Sequence, residues 1–181
     1  MEEVKYITES VCVPILVTPV ANHADIKDKI LEGIKQMGTH SIIETPKQKI
    51  FNSDWHLQKS YERPYAPYID AIIKQVYLNI IECHEIPKDN ISPMWNFWFQ
   101  QYKKGDYHQT HSHPSSSFSS IYYVDLQGNT PKTSFFIRGK EIELTLPLEE
   151  GQVVSFPGFL CHGSKPNKSD RVKTIISWNY I

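Results

Sequence analysis

The chain has 181 residues, 40% hydrophobic and 22% charged, with 19 Lys and Arg against 20 Asp and Glu. This is globular composition near neutrality, which excludes an intrinsically disordered protein and gives no overall attraction to nucleic acid or an anionic membrane. No run reaches the roughly 18 apolar residues of a membrane span, and MEEVKYITES lacks the basic-then-apolar layout of a signal peptide. Three widely spaced cysteines, Cys12, Cys83 and Cys161, suggest no disulfide framework, so a soluble cytoplasmic protein of one domain is expected.

VCVPILVTPV (11–20) is β-branched and apolar and reads as a strand, its prolines favouring a sheet edge. ADIKDKILEGIKQMG follows as a helix, with Ile26, Ile30, Ile34 and Met37 on one face and Gly38 placed for a C-terminal cap. Residues 39–64 show no clear period and read as strand fragments and loops. PYIDAIIKQVYLNIIECHEI carries the strongest helical pattern: Ile69, Ile72, Ile73, Val76, Tyr77, Ile80 and Ile81 repeat at three and four, and Pro67 suits the first turn.

Beyond Pro87 the character changes. ISPMWNFWFQQY, SSIYYVDL, TSFFI, EIELTLPL, GQVVSFP and VKTIISWNYI are short β-type runs divided by Gly, Pro, Asn and Asp. Helices followed by many short strands, with no βαβ alternation, predict an α+β chain. An N-terminal strand and supporting helices (1–90) should brace an antiparallel sandwich or barrel (91–181), the whole forming a single domain. MWNFWF lacks interleaved Lys or Arg and reads as core packing rather than a platform for nucleic-acid bases.

Within this pattern sits GDYHQTHSHPSSSFSSIYYV (105–124). His111 and His113 are two apart, so at an extended strand end both face the same way and could share one cation. A third ligand is needed for an open catalytic site, and His162, after the Pro-Gly turn of GQVVSFPGFLCHGSKP, is the natural candidate. His108, three before His111, is a candidate ligand or pocket residue. His23, His40, His56 and His84 read as ordinary surface or core histidines, and Asp25 as a first-turn acid of the first helix. Cys161 and His162 are adjacent on a strand and face opposite ways, which argues against a Cys-His nucleophile.

Two resemblances rest on these residues. Gly105-x5-His111-x-His113 and Gly151-x5-Pro157 with His162 resemble the two cupin motifs, although the first motif's glutamate is missing and Phe159 stands where the last glycine belongs. The longer order W…GDY…HxHP…SxIYYV…GQVVSFPGFLCHG…RVKTIISWN, from about Trp95 to Asn179, resembles the 2-oxoglutarate/Fe(II)-dependent oxygenases related to prolyl 4-hydroxylases, closest to their bacterial and phage group. That implies a double-stranded β-helix, a jelly-roll or cupin-like core braced by N-terminal helices, in a bacterial or phage-infected host cell.

The resemblance also implies roles. His111 and His162 would be iron ligands, with His113 at the position usually held by a carboxylate. Lys173 would pair with the far carboxylate of 2-oxoglutarate, with Arg171 as the fallback. Tyr122 or Tyr123 could donate to the same carboxylate, one of the two having to face inward, and Asn179 would line the pocket. Asp106 is the alternative source of a carboxylate ligand. The implied activity is Fe(II)- and 2-oxoglutarate-dependent hydroxylation of a small-molecule or peptide substrate. The alternatives are a cupin-type three-histidine metalloprotein without 2-oxoglutarate, and a β-helix binding or structural module without activity. Neither substrate nor oligomeric state is written in the sequence.

Overall fold

The computed structural model describes residues 12–38, 41–57, 59, 62–127, 130–142, 144 and 147–181, with only the backbone at 89 and 93–95. His40 and positions 143, 145 and 146 of EIELTLPL lie outside the described residues.

Among the described residues two antiparallel six-stranded sheets face each other. The major sheet has the order β1 (Leu16–Pro19), β10 (Gln152–Pro157), β7 (Phe118–Asp125), β12 (Lys173–Tyr180), β5 (Pro93–Tyr102) and β4 (Asn52–Ser53). The minor sheet runs β2 (Ile43–Thr45), β3 (Gln48–Ile50), β6 (Tyr107–His111), β11 (Cys161–Ser164), β8 (Thr133–Ile137) and β9 (Lys140–Ile142). This is the double-stranded β-helix expected from the sequence. Among the described residues the proline-bearing β1 is indeed an edge strand, paired with β10.

The helices α1 (His23–Met37) and α2 (Ala66–His84) cover the outer face of the major sheet. Their buried faces, Ile26, Ile30 and Ile34 on α1 and Ile69, Ile73, Val76 and Ile80 on α2, meet Phe97, Phe99, Tyr122, Val124, Ile176, Trp178 and Tyr180. Gly38 ends α1 at φ 74°, a left-handed conformation that costs glycine little. The other face of the same strands looks into the β-helix, where Tyr102, Ile121, Tyr123, Val154, Phe156 and Ile175 pack with Phe135 and Ile50 of the minor sheet. Burial on both faces explains why FSSIYYVD lacks polar alternation: Ile121 and Tyr123 point inward, Tyr122 and Val124 toward the helices.

Two polar fastenings set the remaining pieces. Lys27 of α1 donates to Asp125 at 2.8 Å and Glu150 at 2.7 Å, while His23 meets the Tyr122 hydroxyl at 2.7 Å. Between β4 and α2, buried Arg63 pairs with buried Asp54 at 2.6 Å and donates to the carbonyl of Phe97; Asp54 also accepts from the Phe99 amide and the Tyr65 hydroxyl. An ion pair satisfied on so many sides avoids the cost of an isolated buried charge. It fixes the chain against β5 where Trp55, 55% exposed, reaches the mouth of the internal cavity.

Candidate metal centre

His111 and His162 are directly opposed partners in the β6–β11 ladder. Residues opposed across an antiparallel pair share a face, so both rings project between the sheets, their centroids 4.4 Å apart. His113, two residues beyond His111, turns to the same place. The three imidazoles can bring one nitrogen each within 4.8 Å of the others.

The backbone sets the chemistry of two of these rings. Nδ1 of His111 lies 2.9 Å from the Gln109 carbonyl, and Nδ1 of His162 lies 3.0 Å from that of Leu160. A carbonyl only accepts, so each Nδ1 carries the proton and each Nε2 keeps a lone pair for a cation. Burial, then the neighbouring imidazoles, lowers the pKa of His162 to about 3 and of His113 to about 4; burial also lowers that of His111. All three are neutral near pH 7, the form that binds a metal.

His113 is placed by a close backbone approach. Its amide donates to the Gly158 carbonyl at 2.7 Å, and the Gly158 amide donates to Ser117 at 3.0 Å. A Cβ at Gly158 would lie 2.1 Å from the Ser116 carbonyl oxygen and 2.6 Å from that of His113. Only glycine lets the His113 loop seat against the β10–β11 turn. The exposed Phe159 lies beside it.

Across the cavity, from the first residue of β12, comes Lys173, 1% exposed. Its ammonium donates to the Pro131 carbonyl at 2.9 Å and the Ser164 hydroxyl at 2.7 Å, and sits 4.6 Å from the centre of the Tyr102 ring. Burial lowers its pKa to about 7. The cavity it shares with the histidines has a volume of about 270 Å³ and is walled by Phe156, Ile121 and Ile175, with Trp98, Gln100 and Asn179 at one side.

The other candidates divide by strand parity. Tyr123 points inward, but its hydroxyl donates to Thr133 Oγ1 at 2.8 Å, and it is Thr133 that lines the cavity. Burial pushes the Tyr123 pKa up to about 12, so the phenol stays protonated. Tyr122 faces α1 and is not at the site. Asn179 lines the cavity, its Oδ1 accepting from Ser119 at 2.8 Å. Arg171 precedes β12, is exposed and donates to Gln127, so it does not share the inward face of Lys173. Asp106 is buried away from the cavity, where its Oδ2 accepts from the Lys103 amide at 3.0 Å in the β5–β6 turn. Asp25 lies in the first turn of α1. Among the described residues no carboxylate joins the three histidines.

His108 is brought in by an irregularity. Ser164 opposes His108 while His162 opposes His111, so three steps on β6 answer two on β11. That extra residue is a β-bulge; without it, His108 and His111 would point to opposite faces. With it, the two rings stack at 4.0 Å, inclined by 21°. Gly163 makes the room: a Cβ there would come within 2.9 Å of the His108 carbonyl oxygen. Thr133, Ser164 and Gly163 were not legible as site residues in the sequence, since nothing in their local pattern marks them. Trp98, assigned there to core packing within MWNFWF, lines the cavity instead.

Comparison with known proteins agrees with this architecture. Residues 96–149 match the family model described as "Putative 2OG-Fe(II) oxygenase". Among solved structures, a Pseudomonas putida prolyl-4-hydroxylase is similar over 91% of each chain, with 13% identity and a TM-score of 0.67. The viral collagen prolyl hydroxylase of Paramecium Bursaria Chlorella virus-1, solved as a 2OG complex, is similar over 92% of this chain and 94% of its own, at 14% identity and 0.60. A Trichoplax adhaerens prolyl hydroxylase, in complex with a hypoxia inducible factor peptide fragment, gives 10% identity and 0.64 over 91% and 82%. No curated protein sequence matches the chain. At these identities the shared property is the fold.

Proposed function

We propose that the protein is an Fe(II)- and 2-oxoglutarate-dependent dioxygenase that hydroxylates a peptidyl or free amino-acid substrate, residues 1–181 acting as one cytoplasmic domain. The observation that carries this reading is a buried lysine facing three converging neutral imidazoles across one cavity. A dicarboxylate with one end on a metal and the other on an ammonium matches that arrangement.

His111, His113 and His162 would hold the iron. Three imidazole nitrogens suit a borderline divalent cation, and because none carries charge, both positive charges remain to attract an anionic co-substrate. When bound, iron with 2-oxoglutarate and dioxygen supplies the chemistry: a substrate C–H becomes C–OH while the co-substrate loses CO2 and becomes succinate. The residues of this chain do the rest. The Gln109 and Leu160 carbonyls keep Nε2 of His111 and His162 aimed into the cavity. Lys173, steadied by Ser164 and Pro131, orients the far carboxylate. Phe156, Ile121 and Ile175 exclude water from the space between.

Among the described residues no carboxylate lies beside the histidines, which favours a second reading, a cupin-type three-histidine metalloprotein that uses no 2-oxoglutarate. An anaerobic titration separates the two. Fe(II) followed by 2-oxoglutarate should produce the weak visible charge-transfer band of a chelated 2-oxo acid, and His162→Ala should abolish it. Metal uptake with neither the band nor an effect of 2-oxoglutarate on the melting temperature would reject the dioxygenase in favour of the cupin-type site. No metal uptake at all would leave a binding or structural module.

A further inference from the structure

We infer that His108 is a co-substrate-binding residue, donating an N–H to the far carboxylate of 2-oxoglutarate beside Lys173. This rests on the dioxygenase reading above and adds to it a second donor and a basis for dicarboxylate selectivity.

Three observations on different parts of the chain carry it. The first is placement. His108 opposes Ser164 across the β6–β11 ladder, and Ser164 is the residue whose hydroxyl accepts from Lys173. The imidazole lines the same cavity as Lys173 and stacks on His111, so it flanks the path from the histidine trio to the ammonium.

The second is unspent hydrogen-bonding capacity. Of the three Lys173 ammonium hydrogens, two go to Pro131 and Ser164, which leaves one for a ligand. A carboxylate has two oxygens, and Tyr123 has committed its hydrogen to Thr133. The His108 ring nitrogens have no hydrogen-bond partner among the described residues, whereas His111 and His162 each engage a carbonyl. Imidazole in any protonation state near neutrality carries at least one N–H. That N–H, on the wall of the cavity and uncommitted to a protein acceptor, is free to serve a ligand carboxylate.

The third is the means of its orientation. A regular strand would turn His108 to the opposite face from His111; the bulge reverses that, and the bare Cα of Gly163 accommodates it. One register shift and one glycine beside it therefore serve to bring one ring inward.

The test uses the Zn(II)-loaded protein, which cannot turn over, with 2-oxoglutarate and pyruvate as probes. Pyruvate has the 2-oxo acid group but no far carboxylate. His108→Phe keeps a flat ring against His111 and removes the donor. It should weaken 2-oxoglutarate binding by about ten- to a hundredfold in calorimetry, the scale of one hydrogen bond to a charged group. Pyruvate and Zn(II) affinities should stay unchanged. His108→Gln, which retains an N–H, should recover most of the loss, and His108→Ala replaces the Phe variant if melting shows that the phenyl ring is not accommodated. Wild-type affinity for 2-oxoglutarate in the donor-free variant would overturn the inference, as would an equal loss for pyruvate or for Zn(II). If the wild-type protein itself fails to bind 2-oxoglutarate, the dioxygenase reading falls and takes this one with it.

Discussion

Replacing Lys173 by Met tests the electrostatics of the cavity without reference to turnover. The lysine is wholly buried and its pKa falls from 10.5 to about 7 in the folded chain. The unfolded chain therefore binds this proton more tightly, and the sign follows. Below about pH 7 both states are protonated and folding bears the full cost of the buried charge. Between about 7 and 10.5 only the unfolded state keeps the proton, so stability rises with pH. With these two values, linkage gives the wild type a gain of about 2 kcal/mol between pH 7 and pH 9. Lys173→Met has a similar shape and no charge, so it should lack that rise. It also strands the Pro131 carbonyl and Ser164 hydroxyl, costing about 1–3 kcal/mol each, so absolute stability at one pH decides little. Urea unfolding at pH 7, 8 and 9 should show the two proteins diverging, with the wild type gaining on the variant at each step. Parallel pH profiles would refute the assignment of a destabilised buried ammonium. On the proposed function, saturating metal and 2-oxoglutarate should flatten the wild-type rise, because a bound carboxylate restores the proton's affinity.

Gly158→Ala forces a methyl against two backbone oxygens and should disturb both hydrogen bonds of the His113 loop. A loss of about 2–4 kcal/mol in urea unfolding is expected, with metal affinity reduced more than tenfold; unaltered metal binding would show that His113 is not a ligand. Tyr123→Phe releases Thr133 and should weaken 2-oxoglutarate severalfold in calorimetry, while Tyr122→Phe should leave that affinity unchanged and lower only the melting temperature through the lost His23 contact. The reverse pattern would mean that the inward face of β7 had been misassigned.

Much of this architecture was legible because it is written in apolar periodicity. The isoleucines of α1 and α2 repeat at helical spacing, and the buried strands are β-branched and aromatic. β6 and β11 were harder: YHQTH and CHGS give up apolar residues to line a cavity, so their strand character does not show in composition. His111 and His162 could still be paired through the order of motifs around them. Strand parity decided the rest. IYYV has no polar alternation, so Tyr122 and Tyr123 were indistinguishable until α1 was seen to cover one of them. Arg171 and Lys173 separated only when β12 was found to begin at Lys173. The inward turn of His108 depends on a register shift, which no local pattern announces.

That shift has a consequence for how the site can change. Along a regular strand, whether a residue contributes to the interior is fixed by odd or even position, and substitution can alter only its identity. A one-residue insertion opposite a glycine flips that parity for everything on one side of it while the ladder beyond is preserved. Shortening the 108–111 segment by one residue would close the bulge and leave both His108 opposite Ser164 and His111 opposite His162, whereas a regular ladder at unchanged length would set Gln109 opposite Ser164 and turn His108 outward. The lining of the cavity can thus change through the register of the chain before the bulge while the histidine pair beyond it stays in place.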